Sequence, residues 1–394
     1  MDIIAFLNYS IAFFSLFSVC VFLLLYIKYW KDYDKKPTKP KKTPKVSIVI
    51  PAYNESAYLA ACLKSVLSIN YPQKLLEILV IDDGSTDDTY KIAKSFECGN
   101  LKVIKKPNTG KGASLNFGIK KATGELIATM DADSYPSKNI LWELIPYFND
   151  KNVMAVTPAV KIKESNSWLK ELQRVEYLMI LFSRKLLSFI DSVPVTPGPF
   201  SLFRAVVFDK VGGFDEHNLV EDQEIALRIQ SHNFKIRSSM TAEVYTEPPG
   251  SIPDLLHQRV RWQRGGIRNY WQYKFLIKPE YGDFGMYFVP MNFLTLGAFF
   301  LLVGLLVYSL FSSPYYIQYI WLDTLSMGIT LFTLIGVFVI LVSTIFLYVA
   351  VTSFNTEKVK LRYILSFIVF YWYLMLGYNF MFLIKELKNE DYSW

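Results

Sequence analysis

The sequence predicts an α/β domain on a mostly parallel sheet, set between α-helical transmembrane segments. Two observations carry this. Short β-branched runs alternate with helical patterns through the middle of the chain, and long uncharged apolar runs occupy its ends. Of 394 residues, 52% are hydrophobic and 16% aromatic, more than a soluble domain needs. The expected organisation is a transmembrane helix over 1–30 and a basic Lys/Pro linker over 31–45. A soluble domain over 46–281 and a membrane region over 282–394 complete it.

Residues Ile3 to Ile27 carry no charge and are long enough to cross a bilayer core of about 30 Å. A cleaved signal peptide wants a basic start and a small-residue cleavage site. Here the start carries Asp2 and the run ends on Lys28-Tyr29-Trp30, an interfacial anchor, so a retained helix is expected. Met291–Phe311, Met327–Val351 and Tyr363–Ile384 are further spans by the same criterion, with an interfacial helix near Phe284–Pro290. Basic residues mark the cytoplasmic side. Eight lysines from Lys28 to Lys45 meet only Asp32 and Asp34, Lys358, Lys360 and Arg362 precede the last span, and Ser312–Asp323 has no Lys or Arg. The central domain is therefore expected in the cytoplasm, under the plasma membrane. The tail, with Lys385 and Lys388, would lie outside, against the same rule.

The net charge of +7 is mostly that juxtamembrane strip, which suits anionic membrane lipids and leaves no case for nucleic acid. Three cysteines without metal spacing fit a reducing compartment and no disulfide framework.

Within the domain, Val46–Ile50 reads as a buried strand, broken by Pro51-Ala52-Tyr53-Asn54-Glu55-Ser56 and followed by a helix to about Ser68. A second strand, Leu76–Ile81, ends at Asp82-Asp83-Gly84-Ser85 before a helix from Thr86. A third, Leu101–Lys105, leads through Pro107–Gly112 into another helix, and a fourth, Leu126–Met130, ends at Asp131-Ala132-Asp133. Such βαβ units bind ligands beyond the carboxyl ends of their strands, where all these polar clusters fall.

Asp131 and Asp133 lie two residues apart at a strand end, so both carboxylates can reach one hard cation, Mg²⁺ or Mn²⁺, that bridges to substrate phosphates. A plain turn uses the same residue type. Asp82 and Asp83 suit either a turn or hydrogen bonds to a base and ribose, and these readings coexist. Asn108-Thr109-Gly110-Lys111-Gly112 lacks P-loop spacing and reads as a strand-to-helix turn whose Lys111 can still meet a diphosphate. Glu221 and Asp222 open a helix behind Gly212-Gly213-Phe214, and Asp222 suits a base that takes a proton from an attacking hydroxyl. From Gln258 to Lys274 arginines alternate with aromatics and no acid intervenes. That pattern fits an interfacial amphipathic helix, a diphosphate site, or both.

Together these residues resemble the inverting family 2 glycosyltransferases of GT-A fold, in their processive branch of hyaluronan, chitin, cellulose and poly-N-acetylglucosamine synthases. The branch is marked by an Asp, an Asp-x-Asp, a further Asp and Gln-x-x-Arg-Trp. Here the order is Asp82/Asp83, Asp131/Asp133, Asp222, then Gln258, Arg261 and Trp262, and the likeness covers about Val46–Tyr273. The resemblance implies that Pro51, Tyr53, Glu55, Asp82, Asp83, Lys111 and Asp131 bind the donor, a UDP-sugar. It implies that Asp131 and Asp133 hold Mg²⁺ or Mn²⁺ and that Asp222 is the base. Gln258, Arg261 and Trp262 would line the donor diphosphate and the growing end. Gly198 and Pro199, in Thr196-Pro197-Gly198-Pro199-Phe200, with Glu221 and Trp262, would meet the acceptor. The implied reaction is one in-line displacement with inversion. The acceptor would be a growing polysaccharide, or alternatively a polyprenyl phosphate or other lipid. A transporter would show inverted repeats and broken helices, which this sequence lacks.

Overall fold

The computed structural model describes residues 3–33, 35, 38–164, 166–312, 331–354 and 357–388. The start of the expected third span, 327–330, and the segment Ser313–Asp323 fall outside them.

Helix α1 (Ile3–Tyr33) precedes an eight-stranded sheet. Its first half is β1 (Val46–Ala52), α2 (Leu59–Leu67), β2 (Leu76–Asp82), α3 (Thr89–Ser95), β3 (Leu101–Lys105), α4 (Lys111–Lys121) and β4 (Leu126–Thr129). β1 pairs in parallel with β2 and β4, and β2 pairs in parallel with β3, as the βαβ spacing requires. β5 (Ser134–Pro136), α5 (Ile140–Leu144), β6 (Val153–Ile162), α6 (Trp168–Ser188), β7 (Ser201–Arg204), α7 (Val206–Val211), α8 (Glu221–Ser231) and β8 (Lys235–Thr246) complete the layer. The order is β3-β2-β1-β4-β7-β6-β8-β5, with β7 antiparallel to β4 and β6 and β5 antiparallel to β8. The sheet is thus mixed, with a parallel half at the front of the chain.

The strand period of two sorts side chains to opposite faces. Ile48 and Ile50 of β1 pack with Leu59, Leu63 and Val66 of α2. Val49 points the other way, into a cluster with Leu115 of α4, Phe203 of β7 and Ile225 and Ile229 of α8. Helices therefore cover both faces, and the loops at the strand ends are left to carry chemistry.

Beyond β8 come α9 (Ile252–Gln272), α10 (Val289–Ser312), α11 (Leu331–Thr352) and α12 (Leu361–Leu387). Residues 284–288, expected as an interfacial helix, form a π-turn that runs straight into α10. α1, the 284–305 segment, α11 and α12 are long and apolar enough to cross a membrane. The chain falls into two compact units: Met1–Trp30 with Leu276–Asn355, and Lys31–Phe275 with Thr356–Trp394. The second holds the sheet, α9 and α12.

Candidate active site

At the carboxyl ends of β1, β2 and β4 lies a cleft of about 1100 Å³. Pro51, Tyr53, Glu55, Asp83, Lys111, Asp131 and Asp133 all line it. Tyr53 presents a ring 46% exposed at its wall, a surface on which a planar base can stack.

The loop after β2 is built around Asp83. Its carboxylate accepts the Thr109 and Gly110 amides at 3.0 and 2.9 Å and pairs with the Lys106 ammonium. Gly84 makes this approach possible: its φ is +74°, and a Cβ there would stand 2.8 Å from the Asn108 amide nitrogen. Asp82 is fully buried, its carboxylate has no hydrogen-bond partner among the described residues, and the Lys105 ammonium stands 4.0 Å away.

The loop and α4 deliver Lys111. Its ammonium lies 2.7 Å from Asp131 and 2.9 Å from Glu221. Burial alone would lower its pKa, but Asp131, Glu221 and Asp222 outweigh that and hold it protonated. Glu221 is thereby engaged with Lys111.

Asp222 joins the same cluster through Gly198. The Asp131 amide donates to the Gly198 carbonyl at 3.0 Å, and the Gly198 amide donates to the Asp222 carboxylate at 3.3 Å. A Cβ on Gly198 would sit 2.5 Å from Asp131 Oδ2, so any larger residue there must push the Asp131 carboxylate aside. Thr196 donates its amide and hydroxyl to the Asp222 carbonyl at 3.1 and 2.8 Å, fixing the start of α8. Pro199 follows, partly exposed, before the buried Phe200.

Too many carboxylates converge here for Lys111 to balance. Burial, then the charges of Asp133 and Asp131, push Glu55 up to about 7. Burial and Asp131 push Asp133 up to about 6. Burial and Glu221 do the same for Asp222, to about 6, against Lys111 and Arg261. Among the described residues no three His, Cys, Asp or Glu side chains form a complete metal site. The donor set at hand, Asp131 and Asp133, is a pair of oxygen ligands in a surplus of negative charge. That fits a hard cation completing its shell with phosphate oxygens and water.

Gln258, Arg261 and Trp262 lie on α9 and do not line the cleft. Gln258 accepts from Arg259, whose guanidinium stacks 4.2 Å from the Trp262 ring centroid. Arg261 donates to the Leu219 carbonyl at 2.9 Å, behind a residue of the cleft wall. Arg264 and Arg268, one and two turns further on, line the cleft instead. The motif spacing points to the right helix, but which of its faces meets the cleft depends on how α9 is docked.

Arg184, on α6, carries no motif signal. It is 5% exposed, and its Nε and Nη1 have no hydrogen-bond partner among the described residues. Burial lowers its pKa to about 10, opposed by the charge of Asp222 and then by Tyr177.

Residues 47–212 match the model of Glycosyl transferase family 2. The poly-beta-1,6-N-acetyl-D-glucosamine synthase of Staphylococcus epidermidis is 31% identical over 234 residues, 57% of this chain and 56% of the relative. The beta-monoglucosyldiacylglycerol synthase of a Nostoc species is 29% identical over 243 residues, 59% of this chain and 51% of that relative. This chain thus spans little more than half the length of either. The mannosyltransferase PcManGT from Pyrobaculum calidifontis, solved with GDP-Man and Mn²⁺, superposes with a TM-score of 0.64 at 19% identity. It covers 89% of this chain and 100% of its own, and the shared fold is GT-A.

Proposed function

We propose that this protein is a membrane-bound inverting glycosyltransferase that moves a sugar from a UDP-sugar to a growing polysaccharide. The observation that carries this is the gathering of Glu55, Lys111, Asp131 and Asp133 from three separate segments in one cleft of nucleotide-sugar size, with Asp222 from a fourth segment behind its lining, tied to Asp131 through Gly198.

In this reading, Tyr53 stacks on the base, and the loop braced by Asp83 shapes the nucleotide pocket. Asp131 and Asp133 hold Mg²⁺ or Mn²⁺, which when bound offsets the charge of the diphosphate leaving group. Lys111, Arg264 and Arg268 add positive charge on the same wall. Asp222 takes the proton of the acceptor hydroxyl during attack, with its carboxylate oriented by the Gly198 amide. Arg184 binds an acceptor oxygen, which would give its Nε and Nη1 the partner they lack among the described residues. The catalytic domain faces the cytoplasm.

Transfer of a single sugar to a lipid is the second reading, favoured by the likeness to the diacylglycerol-glucosylating relative. One assay separates the two. Purified protein in detergent is given several UDP-sugars with Mg²⁺ or Mn²⁺, with and without lipid acceptors, and the product is sized. A ladder or polymer supports synthesis of a polysaccharide; a single lipid-linked sugar rejects it.

A further inference from the structure

The last apolar helix is long enough to span, yet it never leaves the catalytic domain. Just before it, Glu357 accepts from Arg174 of α6 at 2.5 and 2.8 Å and lies 3.4 Å from Lys161 of β6. Phe370 then packs edge-on against Trp168 of α6 at 5.7 Å between ring centroids. Gly377 lies against Leu256 of α9, and the Asn379 side chain accepts from Gln263 at 3.2 Å. At the far end, Glu386 accepts from Arg264 at 2.5 Å and from Arg268 at 3.2 Å. A helix of this length extends about 40 Å, and a bilayer core is about 30 Å thick. A crossing α12 would carry Glu386 to the opposite surface, where no arginine of the catalytic domain follows. Here both ends are ion-paired to one domain.

Among the described residues, nothing covers the opposite side of α12. Leu361, Leu365, Val369, Trp372, Leu376 and Phe380 are all exposed and recur at helical spacing as one stripe. Lys358 and Lys360 precede the stripe, Arg362 follows its first residue, and Lys385 and Lys388 close it. An apolar stripe bracketed by cations is the chemistry of a helix lying in a membrane interface.

We propose that α12 does not cross the bilayer. It lies in the interface on the side of the catalytic domain, its apolar stripe in the lipid and its buried face strapped to α6 and α9. The occupant of the stripe is a lipid surface. This placement also removes the conflict over Lys385 and Lys388, which then share a side with Lys358, Lys360 and Arg362. Through Glu386 the strap holds Arg264 and Arg268, two residues of the cleft wall.

The test is sided labelling of the full-length protein in intact cells with a membrane-impermeant maleimide. Three single-cysteine proteins are compared: native Cys98 on the domain, Ser312→Cys at the far end of α10, and Lys388→Cys after α12. The proposal expects Lys388→Cys to behave like Cys98 and unlike Ser312→Cys. Labelling of Lys388→Cys together with Ser312→Cys overturns it. A protease-cleavable tag appended to the otherwise native carboxyl terminus reads the same sidedness without any substitution. Cleavage from the Ser312 side would likewise overturn it. Neither readout depends on sugar transfer, so failure of the proposed function leaves the result intact.

Discussion

The pKa of Asp222, the proposed base, is raised to about 6, by burial and by Glu221. Asp222→Asn is therefore expected to reduce transfer by about 10³-fold or more, while UDP binding, measured by calorimetry, stays within a few fold. Normal turnover would remove the assignment. Transfer rate should also fall as pH drops through about 6, where Asp222 and Asp133 take up protons, and Glu55 already from about 7. The sign for stability is the reverse. Carboxyls with raised folded pKa values cost stability once ionised, so the metal-free protein loses their contribution as pH rises through 6 to 7. Asp133→Asn should then raise the Tm of the metal-free protein at pH 8, by an amount equivalent to about 1 kcal/mol, while abolishing metal-dependent transfer. Calorimetry at pH 5 and pH 8 checks both halves. Gly198→Ala is the sharpest steric test. Its added methyl meets Asp131 Oδ2 at 2.5 Å and must push that carboxylate aside; a displacement of about 1 Å at a catalytic centre costs about 10²-fold in kcat.

At the scale of elements, α9 links the domain, the cleft and α12. Arg259 is buried and bidentate to Glu176 of α6, at 2.9 and 2.6 Å. Removing one partner strands a buried charge, so Glu176→Gln should destabilise the protein by about 3–5 kcal/mol. Thermal unfolding in detergent reads this directly, and the double change Glu176→Gln with Arg259→Met should recover part of the loss. The αβ rhythm of the first half was readable because each strand is a short β-branched run ended by Gly, Asp or Pro. β5, β6 and α6 were not marked out in that way. β5 has three residues, and β6 is buried on both faces, so neither shows an alternating pattern.

At the scale of the whole molecule, Glu386 connects the strap to the donor cleft. Glu386→Gln should change the donor KM by about 3–10-fold with a smaller effect on kcat, because it frees Arg264 and Arg268 without touching the reacting atoms. Steady-state kinetics over a donor series would show the split. A fall in kcat with KM unchanged would place Arg264 and Arg268 in the chemical step instead.

The sequence by itself determined the parallel half of the sheet, the polar clusters at its edge, and Asp131, Asp133 and Asp222 as the candidate chemistry. Those signals are local: apolar period, turn residues and short motifs read within a few residues of one another. Only the tertiary structure decided that Arg264 and Arg268 face the cleft, that Arg184 is buried, and that α12 lies on the domain. Each depends on which face of a helix docks against a distant segment, and hydropathy cannot distinguish a helix solvated by lipid on all sides from one solvated on a single side.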